Sequence, residues 1–137
     1  MRGVATVLFL IWVAVVSVPV LTGAQAIKGG NPKAAALKNP TKATPDSVTK
    51  GRQVYNKACR HCHGLQAKGD GPLAPKNPSP ADLTDATWDY GSSDGEIYTI
   101  IANGVGGNSV MVGLRSQLTA TEMWNIVNFL RSIGPKS

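Results

Sequence analysis

The chain has 137 residues, 42% of them hydrophobic, and a formal net charge of +6, which fits one small domain with a tail and leaves no room for a second domain. The charge is uneven: residues 27–50 carry five lysines and one aspartate, whereas residues 51–137 carry eight Lys or Arg against seven Asp or Glu. The larger part is therefore near neutral and lacks the basic patch of a folded nucleic-acid-binding surface, so no nucleic-acid partner is expected.

The opening residues, MRGVATVLFLIWVAVVSVPVLTGAQA, hold one early Arg2, an apolar run from Val4 to Val16, and small residues at Ala24 and Ala26. This layout predicts a signal peptide over residues 1–26, cleaved after Ala26, and a periplasmic or otherwise exported product that is soluble once cleaved. The alternative is an uncleaved anchor on the outer face of the cytoplasmic membrane. Val4 to Leu21 is 18 mostly apolar residues, and a span needs about 20. Residues 27–44, IKGGNPKAAALKNPTKAT, alternate Lys, Ala, Pro and Gly, with almost no apolar side chain to offset the entropy of ordering. They predict a flexible linker, either merely solvated or weakly drawn to anionic membrane surfaces, ahead of a domain over residues 45–137.

Three segments then carry helix signals. Thr44 as a cap and Pro45 in the first turn start a helix over about Asp46 to Cys59, with Val48, Val54, Tyr55 and Ala58 on its apolar face. Ser93 and Glu96 have capping-box spacing ahead of Ile97, Ile100 and Ile101, and Gly104 stops that helix. Thr119 and Glu122 repeat the spacing ahead of Trp124, Ile126, Val127, Phe129, Leu130 and Ile133, with Gly134-Pro135 as the stop. The fold class is thus all-α. Between the first two helices, residues 64–92 form a long Gly, Pro, Asp and Asn-rich connection, and loops of that length are rarely idle in a small domain. Three short helices cannot bury much core unaided, so something else must fill the centre.

Both cysteines and both histidines fall within Cys59-Arg60-His61-Cys62-His63. A structural zinc wants four ligands in a tetrahedron, commonly from two separated pairs, and ligands confined to one such stretch would be badly strained. An exported thiol–disulfide catalyst would use the same C-x-x-C spacing, but beside a βαβ pattern that is missing here. A plain Cys59–Cys62 disulfide would close a very short loop and constrain little. The remaining reading is covalent haem attachment, whose signature is C-x-x-C-H. There Cys59 and Cys62 add to the two porphyrin vinyl groups and His63 meets the iron from the proximal side. Haem would also supply the missing core, and His61 would face solvent.

With these residues in view, the chain resembles the class I c-type cytochromes of the small bacterial monohaem kind over roughly residues 48–133. Gly51 and Tyr55 match the family's crossing of first and last helices, opposite Val127, Phe129 and Leu130. The resemblance implies a cytochrome c fold, three main helices with long loops wrapped around one covalently bound haem c. In the run CHGLQAKGDGP it implies that the Pro72 carbonyl accepts the His63 ring N–H, a contact that fixes the imidazole. Trp88 matches an aromatic beneath the haem, packed on the ring or donating its indole N–H to a propionate, with a plain core residue as the alternative. Met1 leaves with the signal, so Met111 and Met123 remain. Met123 falls where the family has an aliphatic core residue, and Met111 falls in the family's methionine loop as the distal iron ligand. The family often has proline after that methionine. Here Val112 and Gly113 follow, which predicts a looser loop and a methionine easier to detach.

A haem with both axial positions filled implies a one-electron carrier rather than an enzyme, a monomer working by outer-sphere transfer between redox protein partners. The alternatives are a membrane-anchored electron-input subunit of a respiratory complex or dehydrogenase, if the first segment is uncleaved, and a haem-based sensor with a labile Met111. Asp82, Asp85, Asp89, Asp94 and Glu96 form an acidic stretch without intervening cations, either a solvated loop or a guide for a basic partner.

Overall fold

The computed structural model describes residues 26–107 and 109–135; the expected signal segment ahead of Ala26 lies outside the described residues. Five helices follow in order: α1 (Pro32–Ala35), α2 (Pro45–Ala58), α3 (Arg60–His63), α4 (Asp94–Asn103) and α5 (Ala120–Ile133). Among the described residues there is no strand beyond one isolated bridge between Gly104 and Val112. No described helix is long and apolar enough to cross a membrane.

The three long helices begin where their caps dictate. Ser93 and Thr119 each accept from the backbone N–H of a glutamate three residues on, and that glutamate returns the bond. Thr44 does the same with Ser47, a reciprocal cap whose return partner is a hydroxyl rather than a carboxylate. Each such cap contributes about 1 kcal/mol by satisfying otherwise orphaned amides.

Helices α2 and α5 cross at Gly51, and this crossing sets the rest of the core. A Cβ at Gly51 would meet the Asn125 backbone and lie 2.9 Å from Phe129 Cβ. One turn on, Tyr55 is fully buried with its ring 5.2 Å from that of Phe129. Helix α4 joins through Tyr98, stacked on Trp124 of α5 at 4.1 Å. Met123 is buried in the same core cluster, the packing role expected for it. Gly51→Ala should push two backbones apart and cost at least the ~1–3 kcal/mol typical of overpacking, read as a melting temperature lower by about 4–8 °C for each kcal/mol in a domain of this size.

The segment before α2 differs from the flexible linker expected for residues 27–44. Gly29 N–H donates to Asp89 O at 2.7 Å, Asn31 N–H donates to Glu96 Oε1 at 2.7 Å, and Ala34 of α1 is 2% exposed. Farther along, Asn39 Nδ2 donates to Asn128 Oδ1 at 2.8 Å, and Asn128 Nδ2 donates to Thr41 O at 3.1 Å and Ser47 Oγ at 3.1 Å. The segment is a strap held by asparagine side chains and backbone bonds, which an apolar count does not register. It crosses α4 and α5 before turning into α2.

Glu96 is the knot under this strap. Burial penalises its charged form, but bonds from the Ser93 hydroxyl and from the backbone amides of Ser93, Asn31 and Ser92 outweigh that and hold its pKa below the ordinary glutamate value. A depressed folded pKa gives stability that is complete above the unfolded value of about 4.3 and is lost as pH falls through the folded value. The advantage of the wild type over Glu96→Gln, read as a difference in urea midpoint, should therefore be constant near neutrality and shrink once the pH drops below about 4.3.

Candidate haem site

Helix α2 breaks at Cys59, whose φ of −117° departs from helical geometry, and the chain resumes as the single turn α3. Gly64, at φ 82°, then ends the turn in a conformation that side chains rarely adopt. Within this short helical stretch Cys59, Cys62 and His63 stand at i, i+3 and i+4, hence on one face, while Arg60 and His61 are exposed. Tyr55 Oη donates to Gly64 O at 2.7 Å, so the end of the turn is fastened to the α2–α5 core. Burial, with smaller contributions from the neighbouring Cys59 and Asp70, pushes the Tyr55 pKa well above the ordinary phenol range and keeps it a donor.

That face opens on two adjoining clefts of about 210 and about 90 Å³, both lined by Cys59, His63 and Met111. Cys62, Pro75, Pro80, Val110 and Leu114 wall the larger; Tyr55, Trp88, Tyr90, Ile97, Ile101 and Leu130 wall the smaller. Native interiors hold few voids larger than a water, so apolar clefts of this size mark the place of a large apolar group. The donor set fits haem: two thiols on one turn, an imidazole beside them, and a thioether reached from a distant loop.

His63 Nδ1 lies 3.3 Å from Ala81 O. A carbonyl only accepts, so this bond exists in the Nδ1–H tautomer and leaves the Nε2 lone pair available to a metal. Burial lowers the His63 pKa against the opposing pull of that carbonyl, which favours the neutral, ligating form. The acceptor expected from the resemblance, the Pro72 carbonyl, is not the one the structure records. Residues 71–74 turn back over α3 instead, with Gly71 N–H donating to Cys62 O at 3.1 Å and Leu73 N–H to His61 O at 2.8 Å, and Pro72 itself is exposed.

Met111 is held from both sides rather than loosely. Its carbonyl accepts Val105 N–H at 3.1 Å, its amide donates to Ser109 Oγ at 3.1 Å, and the Gly104–Val112 bridge closes the loop behind it. Backbone pairing thus replaces the stiffness that a proline at 112 would give. Trp88 lines the smaller cleft and packs on the core cluster, but its indole N–H donates to Asp85 O at 2.9 Å and is not free for a propionate. The acidic stretch is also largely engaged within the chain. Asp82 caps Thr84, Asp85 caps Thr87, Asp94 pairs with Arg131 at 2.7 Å, and Glu96 is buried under the strap.

The competing readings of the cluster have less support in this geometry. Cys59 and Cys62 are both free thiols. Burial, aided by Cys62, pushes the Cys59 thiol up to about 12, the opposite direction from the depression that activates a catalytic thiol. Among the described residues no three of His, Cys, Asp and Glu converge to hold a metal ion, as zinc would require. The sequence did not point to the Ala81 carbonyl or to the Tyr55–Gly64 bond. The first is a backbone group with no residue signature, and the second could have been suspected only from a tyrosine at the buried crossing.

Known proteins point the same way. The family model described as cytochrome c oxidase, cbb3-type, subunit III matches residues 46–130. The cbb3-type cytochrome c oxidase subunit FixP of Azorhizobium caulinodans is 33% identical over 88 residues, which are 64% of this chain and 28% of that protein. This chain therefore spans less than a third of the length of the curated relatives it matches. Among solved structures, the reducing HAO-like protein complex Kustc0457/Kustc0458 of Kuenenia stuttgartiensis matches with a TM-score of 0.63 and 25% identity, over 74% of this chain and 49% of that one. Cytochrome cL of Methylophaga aminisulfidivorans matches with a TM-score of 0.54 and 23% identity, over 77% of this chain and 60% of that one, and so speaks for the fold alone. The family match encloses every residue that lines the two clefts, the cofactor that goes with it is covalently bound haem c, and the chain belongs to the cbb3-type cytochrome c oxidase subunit III family of c-type cytochrome domains.

Proposed function

We propose that this chain is a one-electron carrier on the exported side of the membrane, passing electrons between redox proteins without making or breaking bonds in a substrate. The observation that carries the reading is the convergence of Cys59, Cys62, His63 and Met111 on one apolar double cleft. When bound, haem supplies an iron that cycles between Fe(III) and Fe(II). Cys59 and Cys62 would fix it by two thioether bonds, and His63 and Met111 would ligate its iron. Ala81 holds the imidazole orientation, the Met111 backbone is pinned by Val105 and Ser109, and the apolar walls exclude water. Two fixed ligands leave little to reorganise when the charge changes. Val110 and Val112, 62% and 64% exposed at the cleft rim beside Met111, offer a small apolar contact for a partner, flanked by no described ion pair.

A second reading is favoured by the names of the relatives: the chain serves as the electron-input part of a cbb3-type oxidase or similar complex, held at the membrane by an uncleaved first segment. The spectrum and mass of protein made in a host with c-type haem maturation test both. A carrier should show a low-spin haem spectrum, titrate reversibly with one electron, and resist carbon monoxide when reduced at neutral pH. A mass beginning at residue 27 supports the soluble carrier, and a mass including residues 1–26 supports the anchored subunit. A reduced protein that takes up carbon monoxide readily would overturn the carrier reading in favour of a sensor.

A further inference from the structure

The wall of the smaller cleft formed by Trp88, Asp89, Tyr90 and Gly91 is anchored at one end by Trp88, which packs on the core cluster and donates to Asp85 O, and has little support of its own beyond it. Among the described residues, the backbone bond that reaches these four from outside is Gly29 N–H to Asp89 O, at 2.7 Å. Two residues on, Asn31 N–H donates to Glu96 Oε1 at 2.7 Å, while Glu96 Oε2 accepts Ser93 N–H at 3.0 Å and the Ser93 hydroxyl at 2.7 Å. Both chains close on this one carboxylate. A Cβ at Gly30 would lie 2.8 Å from Glu96 Oε1, and a Cβ at Gly91 would run into the same carboxylate. Only glycines, each at positive φ, let strap and wall approach Glu96 together. Just past the wall, Arg131 of α5 donates to Ser92 O and pairs with Asp94, which fixes the start of α4 but leaves residues 89–91 to the strap.

From this we infer that the strap positions the haem pocket: Gly29 and Asn31, latched through Glu96, hold the Trp88–Gly91 wall against the cofactor. The inference rests on the haem reading of the clefts. Gly29, Asn31 and Glu96 line neither cleft, so they act through the wall as positioning residues. Unseating the strap lets residues 89–91 swing outward about Trp88 and admits water to the smaller cleft. Water stabilises the more highly charged oxidised iron over the reduced one, so the midpoint potential falls.

Two variants test it on the full holoprotein. Gly30→Val places a branched side chain between strap and carboxylate, and Glu96→Gln keeps the shape while weakening the latch. A third, Asn39→Ala, cuts the bond to Asn128 at the other end of the strap and serves as the control for stability alone. Redox titration and amide hydrogen exchange of peptides covering residues 88–92 are the readouts. Gly30→Val and Glu96→Gln should lower the midpoint potential and speed exchange in that segment on the order of tenfold, whereas Asn39→Ala should lower the melting temperature with both readouts at wild-type values. If Gly30→Val and Glu96→Gln behave like Asn39→Ala, the strap is merely structural and the inference is overturned. Should Gly30→Val give no holoprotein, Glu96→Gln decides it. A wild-type chain matured without covalent haem would overturn the reading of the clefts themselves, an outcome distinct from a haem protein whose potential ignores the strap.

Discussion

A chain carrying Cys59→Ala and Cys62→Ala together should leave a c-type maturation host with no haem stain surviving denaturation, and without a fixed tertiary structure. The first effect follows from the chemistry, because the two thiols are the groups at the clefts able to form thioethers. The second follows from volume. A cavity left in a core costs about 24 cal/mol per Å³, so the clefts of about 210 and 90 Å³ correspond to at most about 5 and about 2 kcal/mol. That sum is comparable with the whole stability of a small domain, about 5–15 kcal/mol. The unfilled chain should retain helical far-ultraviolet dichroism in part and lose near-ultraviolet dichroism, with the helices no longer packed. Haem staining retained in the double variant would refute covalent attachment at these cysteines.

The next largest effect should come from Met111→Ala. A thioether is a soft ligand that favours Fe(II), so its removal should lower the midpoint potential, abolish the weak sulfur-to-iron band at the red end of the oxidised spectrum, and open the sixth position to added ligands such as carbon monoxide or imidazole. Met123→Leu is the matched control. Met123 is 2% exposed within the α5 core, a nearly volume-conserving change there costs less than about 1.5 kcal/mol, and the band should persist. The reverse pattern, with the band lost in Met123→Leu and kept in Met111→Ala, would reverse the ligand assignment. Because the Met111 backbone is bonded to Val105 and Ser109, the loop in Met111→Ala should stay in place, and the spectral change should report the missing sulfur alone.

Residues whose side chains advertise their own geometry were readable in advance. The Ser93–Glu96 and Thr119–Glu122 spacings located the starts of α4 and α5, since a hydroxyl and a carboxylate three residues apart have few other local uses. The C-x-x-C-H run likewise carried its chemistry on its face. The strap was not readable, because composition counts apolar side chains while Asn31, Asn39 and Asn128 hold it by hydrogen bonds to partners more than sixty positions away. The end of the first helix at Cys59 was expected, but its resumption as the separate turn α3 was not: no proline or glycine marks the junction, and the turn that follows is defined by what its cysteines face. The Pro72 expectation transferred a family contact onto a loop that takes another path here, and the loop's own bonds decide which carbonyl arrives at the imidazole.

That the orienting partner of His63 is a main-chain oxygen has a consequence for how this protein tolerates change. Any amino acid at position 81 provides the same carbonyl, so substitution scanning would rate the site as silent, and sequences are free to drift there without disturbing the imidazole. The dependence is displaced onto whatever locates the peptide. Gly69, at φ 76°, presses its α-carbon against the Pro80–Ala81 linkage, and an added Cβ would sit 3.3 Å from Ala81 O and closer still to Pro80 O. The vulnerability of the proximal side is thus recorded at a residue with no side chain of its own, bonded to His63 only through the backbone, its N–H donating to His63 O at 2.9 Å, and a catalogue of sensitive positions would place it twelve residues from the atom responsible.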